Sequence, residues 1–382
     1  MGKTIAIIGA GPAGLMAAEK LAESGCAVTV YDQRPSPARK LLMAGIGGLN
    51  ITHSESFDLF LSRYGEAAEF LRPALEYFTP EDLRAWCAGL GEETFVGSSG
   101  RVFPKSFKAS PLLRAWLRRL DTLGVRFVFS HTWRGEDIGS DATILALGGA
   151  SWPRLGSDGH WVNILQEKGI AITPFRPTNC GFVTAWSPIF AEKFAGAPVK
   201  SVTLTHQGRT LATEFLIDKH GVEGSGIYAL SKSLRDDIAA TGHARLTINF
   251  KPDLSPEKIC DALQKPRGRD SFSNHLRKTL HLAPVAIGLL QEDRGLSSLP
   301  LPELVARITA YPLTLTAPFP MEKAISTAGG IALHELDSTF QLKKWPHMYA
   351  IGEMLDWEAP TGGYLLQASF SMAAWVGTQI NR

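Results

Sequence analysis

The chain has 382 residues, enough for about two and a half domains of ordinary size and for at least one complete apolar core. Its 39 lysines and arginines nearly balance 37 acidic residues, and the net charge of +2 argues against a polyelectrolyte that binds nucleic acid. The four cysteines lie far apart and no apolar run could span a bilayer, so we expect no disulfide framework, no thiolate metal site and no membrane partner. The first apolar run continues into glycines instead of a cleavage site, which favours a cytoplasmic protein.

A glycine-rich turn follows the first predicted strand. Residues 4–8 are apolar and β-branched, as in a strand buried on both faces, and Gly9, Gly11 and Gly14 come next at GxGxxG spacing. A helical stretch and a second strand ending at Asp32 complete the order of a dinucleotide-binding βαβ unit. The alternative is a glycine turn that binds nothing. The predicted dinucleotide contacts here are Gly9, Gly11, Pro12, Ala13, Gly14, Asp32, Gln33 and Arg34.

NAD dehydrogenases and flavoproteins share this amino-terminal βαβ unit, so the unit does not show which dinucleotide is bound. Two segments farther along the chain bear on that choice. Residues 39–52 combine Arg39 and Lys40 with several glycines and have no clean helical or strand period. We therefore expect a loop that wraps a long, flat molecule closely. Near the carboxyl end, a short strand over 348–351 precedes a turn, and the glycines of 361–363 open a final helix.

The middle of the chain changes pattern. Residues 181–252 form short alternating runs separated by Gly and Pro, which predicts an antiparallel β-rich insert. Residues 253–321 have a helical period interrupted by prolines, which predicts a helical insert. The expected fold class is α/β, with a discontinuous Rossmann-type domain formed by 1–180 and 322–382.

Several motifs in chain order then resemble a known family. They are the glycine turn with its acidic strand end, the RKLL loop, VFPKSFKAS (102–110), LALGGASWPRLGSDGHW (145–161), TAGGI (327–331) and GEMLDWEAPTGGYLLQA (352–368). Together they resemble the bacterial FAD-binding oxidoreductases of the aminoacetone-oxidase-like type, whose relatives include a bile-acid 4,6-reductase. The sequence departs from that pattern at Gly48-Leu49, where the family usually has Arg-Cys, and at Leu147, where it has threonine.

The resemblance implies non-covalent FAD and assigns roles to individual residues. Glu353 would bind the ribityl chain, Arg39 and Lys40 would lie near the pyrophosphate or the flavin loop, and the Trp133 backbone would contact adenine. The backbone of residues 362–365 would lie at flavin N1 and C2=O, where a helix N-terminus stabilises negative charge. The remaining implied contacts are Leu41, Gly47, Gly48, Asn50, Gly148, Gly149, Gly352, Gly362, Gly363, Tyr364 and Leu365.

The implied activity is hydride transfer between FAD and a small organic substrate. The chain has no second GxGxxG turn, so we expect O2 or a transient NAD(P)H as co-substrate. The candidate catalytic side chains are Tyr364, Asn50 and Glu358. Three alternatives stay open: an NAD(P)H-dependent enone reductase, a regulatory or RNA-associated protein with structural FAD, and an NAD dehydrogenase. The histidines lack metal-site spacing and there is no basic tail, so we expect neither a metal nor a nucleic-acid partner.

Overall fold

The structure is a computed structural model and describes residues 2–45, 47–293 and 295–380. Two compact units make up the chain: unit 1 comprises the segment up to Pro177 and the segment from Ile325 onward, and unit 2 is Thr178–Ala324. Each unit encloses its own apolar core.

The helices and strands follow one another in this order. The first segment contains β1 (Thr4–Ile8), α1 (Pro12–Glu23), β2 (Ala27–Asp32), α2 (Arg39–Ala44), β3 (Thr52–His53), α3 (Phe57–Ser62), α4 (Ala68–Tyr77), α5 (Pro80–Gly89), β4 (Thr94–Val96), β5 (Arg101–Pro104), α6 (Ala109–Thr122), β6 (Arg126–Phe129), β7 (Ala142–Leu145), α7 (Trp161–Glu167) and β8 (Ile172–Thr178). The second contains β9 (Phe182–Val183), α8 (Pro188–Phe194), β10 (Pro198–His206), β11 (Arg209–Asp218), β12 (Gly221–Glu223), α9 (Ser225–Ala229), α10 (Ser231–Thr241), β13 (Ala244–Asn249), α11 (Pro256–Leu263), α12 (Phe272–Leu280), α13 (Pro284–Gln291), α14 (Leu301–Thr309), β14 (Tyr311–Leu315) and β15 (Ala317–Pro318). The last contains β16 (Ser326–Ile331), β17 (Met348–Ala350) and α15 (Tyr364–Ile380).

A five-stranded parallel sheet forms the centre of unit 1, with strand order β17-β7-β1-β2-β6. The predicted strand over residues 4–8 is β1, and four of its five residues are buried, as expected for a strand covered on both faces. Helix α1 makes the crossover from β1 to β2 that a parallel pair requires. The carboxyl ends of β1, β2, β7 and β17 therefore meet at one edge of the sheet.

One predicted loop is helical over six of its fourteen residues. Residues 39–44, expected to wrap a ligand as irregular chain, form α2, which ends at Gly45. The residues are good helix formers and Leu41 is buried, but six residues are too few to show a helical period. The glycine ends the helix where a Cβ at position 45 would lie 2.6 Å from the Ala109 Cβ.

Unit 2 is built on an antiparallel sheet of seven strands in the order β14-β13-β10-β11-β12-β9-β15. Its strands and its helices α11 to α14 bury side chains in the same core, so the β-rich and helical stretches pack as one body. The helical stretch ends at Thr309, earlier than its pattern suggests, because residues 311–315 alternate and pair with β13 as β14. The α/β Rossmann-type fold with a β-rich and helical insert is confirmed.

Within the described residues, none of the helices has the length and the apolar character needed to cross a membrane.

Candidate functional site

A cavity of about 530 Å³ opens at the carboxyl edge of the parallel sheet in unit 1. Its walls include the turn after β1, Asp32 at the end of β2, the segment after β7 and the turn after β17. Ligands of open parallel sheets bind beyond the carboxyl ends of the strands, and this volume lies within the usual range of ligand pockets. The cavity is therefore the candidate cofactor site.

The three fingerprint glycines meet different surroundings. Gly9 has φ +112° and a Cβ there would lie 2.3 Å from the Ala146 carbonyl oxygen, so the fold itself requires glycine. A Cβ on Gly14 would lie 1.9 Å from the Gly9 oxygen, because α1 packs directly on the turn. A Cβ on Gly11 would meet no atom within 4 Å. Gly11 lines the cavity as the N-cap of α1, and no side chain caps that helix, so its first N–H groups are available to an anion.

Asp32 is held in place by the backbone. Its Oδ2 accepts a hydrogen bond from the Ala10 N–H at 2.7 Å and its Oδ1 accepts one from the Arg34 N–H at 2.7 Å. Burial raises the pKa of Asp32, and the two backbone hydrogen bonds offset that rise only in part. Each carboxylate oxygen keeps a lone pair that could accept a ribose hydroxyl.

An ion pair joins two predicted residues that are distant in sequence. The Lys40 Nζ donates to Glu353 Oε2 at 2.6 Å and Oε1 at 2.9 Å, and to Ser151 Oγ at 2.7 Å. The Thr327 N–H also donates to Glu353 Oε1, at 3.0 Å. Both charged residues line the cavity, so α2 and the turn after β17 are joined at its wall.

Three buried polar atoms of cavity-lining residues test whether a dinucleotide fits. Arg39 Nε, Ser157 Oγ and His160 Nε2 have no hydrogen-bond partner among the described residues. Buried polar groups are nearly always paired, so these atoms fit a bound molecule that is rich in hydrogen-bonding groups. A hydrogen bond to Asp158 raises the pKa of His160, which favours its cationic form and suits an anionic molecule. The residues present fit the phosphates and ribose of FAD.

The last glycines lie where α15 begins. Gly362 and Gly363 line the cavity with φ +140° and +92°. A Cβ on Gly363 would lie 2.4 Å from the Thr52 nitrogen, so only glycine permits this close packing. The positive end of a 17-residue helix consequently adjoins the cavity, which favours negative charge there.

Most of the predicted contacts line the cavity. These are Gly9, Gly11, Pro12, Ala13, Asp32, Gln33, Arg39, Lys40, Leu41, Gly48, Asn50, Trp133, Gly148, Gly352, Glu353, Gly362, Gly363 and Leu365. Five predicted contacts do not line it: Gly14, Arg34, Gly47, Gly149 and Tyr364. Gly14 packs on the turn, Arg34 donates to the Pro153 carbonyl, and Gly149 lies against Thr327.

Of the three candidate catalytic residues, only Asn50 lines the cavity. The Asn50 Nδ2 donates to the carbonyls of Thr52 and Val102 at 2.8 and 3.0 Å. Tyr364 turns away from the cavity, because its hydroxyl donates to Glu55 Oε1 at 2.6 Å in a buried aromatic cluster. Glu358 does not line the cavity either. Trp357, the residue before Glu358, is buried in the core of unit 1.

Several residues that line the cavity were not predicted from the sequence. Arg101, His131, Trp152, Ser157 and His160 all line the cavity. Ser157 and His160 belong to the motif over residues 145–161, whose local pattern does not show which of its side chains reach a cavity. Arg101 starts β5 and reaches the site through the pairing of β5 with β3, which no local pattern reveals.

Among the residues that the structure describes, no three His, Cys, Asp or Glu side chains are grouped so that they could hold a metal ion.

Known proteins resemble this chain over nearly its whole length. The ribosomal RNA dihydrouridine synthase of Escherichia coli K12 is 25% identical over 400 residues, which cover 98% of this chain and 96% of that protein. The 3-dehydro-bile acid delta(4,6)-reductase of Clostridium scindens is 25% identical over 413 residues, covering 98% of each chain. The solved 3-ketosteroid delta1-dehydrogenase of Sterolibacterium denitrificans has the same fold, with a TM-score of 0.50 at 12% identity over 99% of each chain.

A family model described as the HI0933-like protein Rossmann domain matches residues 3–379. The match spans both segments of unit 1 as well as unit 2. The chain therefore belongs to the HI0933-like family, which confirms the FAD-binding oxidoreductase family that its motifs predicted.

Proposed function

We propose that this oxidoreductase holds FAD non-covalently in the unit 1 cavity and reduces a C=C bond that is conjugated to a carbonyl. One observation carries the proposal: a single cavity extends along the open α1 N-terminus, Asp32, the Lys40–Glu353 pair and the glycines before α15. Bound FAD would supply two electrons as a hydride. The hydride would go to the β-carbon of the substrate and a solvent proton to the α-carbon, with NAD(P)H as the reductant that restores the electrons.

The chain's own residues divide the binding of the dinucleotide between them. Asp32 would accept the ribose hydroxyls, and Arg39 with the α1 N-terminus would neutralise the diphosphate. Glu353 is fixed by Lys40 and by the Thr327 N–H, so its carboxylate is oriented before FAD binds. The N-terminus of α15 would stabilise negative charge on the ring system.

The direction of the reaction is supported by the two relatives named above. Both names describe the saturation of a C=C bond, in a uridine of ribosomal RNA and in a 3-dehydro bile acid. These substrates share a C=C bond conjugated to a carbonyl, although they differ in size and in class. This shared chemistry favours reduction over oxidation of a small amine.

The proposal is tested by steady-state oxidation of NADPH without oxygen. We expect NADPH consumption when a conjugated enone is added, and none with the saturated analogue of the same compound, which serves as the matched control. Product analysis should give one saturated C=C bond per NADPH consumed. Consumption that depends on O2 or on a small amine and is indifferent to the enone would overturn the proposed direction.

A further inference from the structure

Three phenylalanine rings group together on the surface of unit 1. Phe95 on β4 lies opposite Phe103 on β5, with ring centroids 5.8 Å apart and planes at 26°. The Phe107 centroid lies 5.0 Å from that of Phe95 and 5.6 Å from that of Phe103. None of the three belongs to the apolar core of unit 1. We call Phe95, Phe103 and Phe107 the phenylalanine face.

The backbone of Phe107 has an unusual conformation. Its φ is +56°, in the left-handed region that a bulky residue rarely adopts. The Phe107 N–H donates to the Pro104 carbonyl, and the Phe107 carbonyl accepts from the Leu49 N–H, both at 2.9 Å. These bonds hold the residue in a position where it is 49% exposed. A left-handed backbone and an exposed apolar ring both lower stability, which makes Phe107 a candidate for binding.

The phenylalanine face adjoins the cavity. Gly48 lines the cavity, and a Cβ there would lie 3.4 Å from the Phe107 Cδ1 and 3.8 Å from the Phe103 Cε1. Because residue 48 is glycine, no side chain at that position separates the rings from the cavity. Arg101, two residues before Phe103 on β5, also lines the cavity. A molecule that lies on the phenylalanine face can therefore extend into the cavity.

The segment that carries the rings is positively charged. Residues 94–110 contain Arg101, Lys105 and Lys108 and no acidic residue, a local charge of +3 against +2 for the whole chain. Lys105 pairs with Glu93. Within the described residues, the side chains of Arg101 and Lys108 form no ion pair. Both cations can therefore bind an anion, one at the cavity and the other beside Phe107 in the chain.

We propose that the phenylalanine face, with Arg101 and Lys108, is the binding site of NADPH. The adenine stacks on Phe107, since an exposed aromatic ring accepts the flat face of a base. Lys108, the next residue, pairs with the 2′-phosphate of the adenosine. Arg101 pairs with the diphosphate, because a guanidinium matches the geometry of phosphate oxygens. The nicotinamide enters the cavity past Gly48.

The inference rests on the proposed function, which needs a reductant, and it adds the place where the reductant binds. Residues 9–14 form the one GxGxxG turn of the sequence, and that turn belongs to the candidate FAD site. NADPH must therefore bind without a Rossmann unit of its own. It gives the hydride from C4 of its nicotinamide, with both electrons, to FAD and leaves as NADP+. One hydride enters from each NADPH and one leaves to each enone, so the two half-reactions balance.

The test is titration calorimetry of the FAD-loaded protein with NADP+, which cannot reduce the flavin. We expect Phe107→Ala to weaken NADP+ binding about tenfold or more and Phe107→Trp to restore it, because one stacked base is lost and regained. Phe129→Ala is the matched control: Phe129 is 37% exposed and stacks on Phe127 in a different sheet, so its loss should leave NADP+ binding unchanged.

The cations are tested by comparing NADP+ with NAD+, which lacks the 2′-phosphate. Lys108→Gln should weaken NADP+ binding about tenfold and leave NAD+ binding unchanged. Arg101→Gln should weaken both by a similar factor, because both carry the diphosphate. Arg118→Gln, at an exposed position farther along α6, removes the same charge and should change neither.

The outcomes separate this inference from the proposed function. NADP+ that binds Phe107→Ala and Lys108→Gln as tightly as the unchanged protein, or that does not bind at all, overturns the NADPH site. A KM for the enone that rises in Phe107→Ala while NADP+ binding is unaltered also overturns it, because the phenylalanine face then serves the substrate.

The proposed function is measured without any nicotinamide, by reducing the flavin with dithionite and adding the enone in the absence of oxygen. Flavin bands that return with the enone, in a protein whose NADP+ binding ignores Phe107, keep the C=C reduction and overturn only the NADPH site. NADP+ binding that depends on Phe107, in a protein whose reduced flavin the enone leaves unchanged, supports the NADPH site and removes the proposed acceptor.

Discussion

At the scale of single residues, space around a side chain decides what a substitution changes. Gly9 and Gly14 are required by backbone atoms less than 2.5 Å from the position of a Cβ, so their replacement would distort the turn. Gly11 faces open space, with φ −79° that any residue adopts. A side chain at Gly11 would consequently occupy the room beside the α1 N-terminus without disturbing the fold.

We predict that Gly11→Val folds normally but binds FAD much more weakly. Its unfolding midpoint without FAD should match that of the unchanged protein, while isothermal titration should show an affinity for FAD reduced by about 100-fold or more, because the diphosphate loses its close approach to the helix. Gly47→Ala is the control, since a Cβ there meets no atom within 4 Å and Gly47 does not line the cavity. Equal affinity in both variants would contradict the placement of the diphosphate.

The Lys40–Glu353 pair gives a second residue-level prediction. Lys40 and Glu353 are 28% and 16% exposed, so their attraction is only partly screened by water. Lys40→Met and Glu353→Gln should each lower the free energy of unfolding, and a double-mutant cycle should show a coupling of about 1 kcal/mol. Urea unfolding measures it, with the Lys20–Glu23 pair as the control, for which the coupling should be smaller because Glu23 is 42% exposed. No coupling between Lys40 and Glu353 would mean that the pair does not orient the carboxylate.

The sequence identified most of these residues because motifs place them after strands. Asp32 and Glu353 follow buried runs, and the glycines have characteristic spacings, so their convergence at one sheet edge was predictable. The side chain of Tyr364 could not be placed, because its direction depends on Glu55, 309 positions away in the chain. Arg101 depends in the same way on the pairing of β3 and β5.

At the scale of elements, the start of α15 is anchored by a hydrogen-bonded group. The Tyr364 hydroxyl donates to Glu55, and Arg63 donates to both oxygens of the same carboxylate at 3.0 and 2.7 Å. Burial alone would raise the pKa of Glu55, but the hydrogen bonds from Arg63 and Tyr364 outweigh burial and lower it. The charged carboxylate therefore stabilises the helix that follows Gly362-Gly363.

The hydrogen bonds to Glu55 predict that the free energy of unfolding depends on pH. Because the pKa of Glu55 is lower in the folded chain, its stabilisation is complete above pH 4.5 and is lost as the pH falls through the lowered pKa. We expect Tyr364→Phe to lower the free energy of unfolding by about 1–2 kcal/mol at neutral pH, with a smaller difference in acid. Urea unfolding at several pH values measures this, and Tyr77→Phe, on a 47% exposed ring, should show no such difference. A constant Tyr364→Phe difference down to acid pH would contradict the role of the charged carboxylate.

The length and the boundaries of an element explain why α2 and β14 were not predicted from the sequence. Helix α2 has only six residues, and a helical period needs roughly eleven or more to be recognised. The long α15 and the strands β1 and β2 were predictable because each has a clear pattern and a glycine at its boundary. Strand β14 was not predicted because only one residue separates it from the end of α14, so no turn signal marks the change from helix to strand.

At the scale of the whole molecule, two cores divide the chain into units. The cavity-lining residues all belong to unit 1, which is formed from both ends of the chain. Ligand binding stabilises only what it contacts, by about 2.7 kcal/mol at a free concentration about 100 times the Kd. FAD should therefore slow amide hydrogen exchange in residues 2–177 and 325–380 more than in 178–324. Equal protection in both units would place the site elsewhere.

The central claim is that the unit 1 cavity holds FAD and passes its electrons to a conjugated C=C bond. The most direct measurement is the visible absorption spectrum of the purified protein during anaerobic addition of NADPH and then of a conjugated enone. The account predicts flavin bands that fade with NADPH and return with the enone. A protein without flavin bands, or bands that a small amine bleaches and NADPH leaves unchanged, would contradict it.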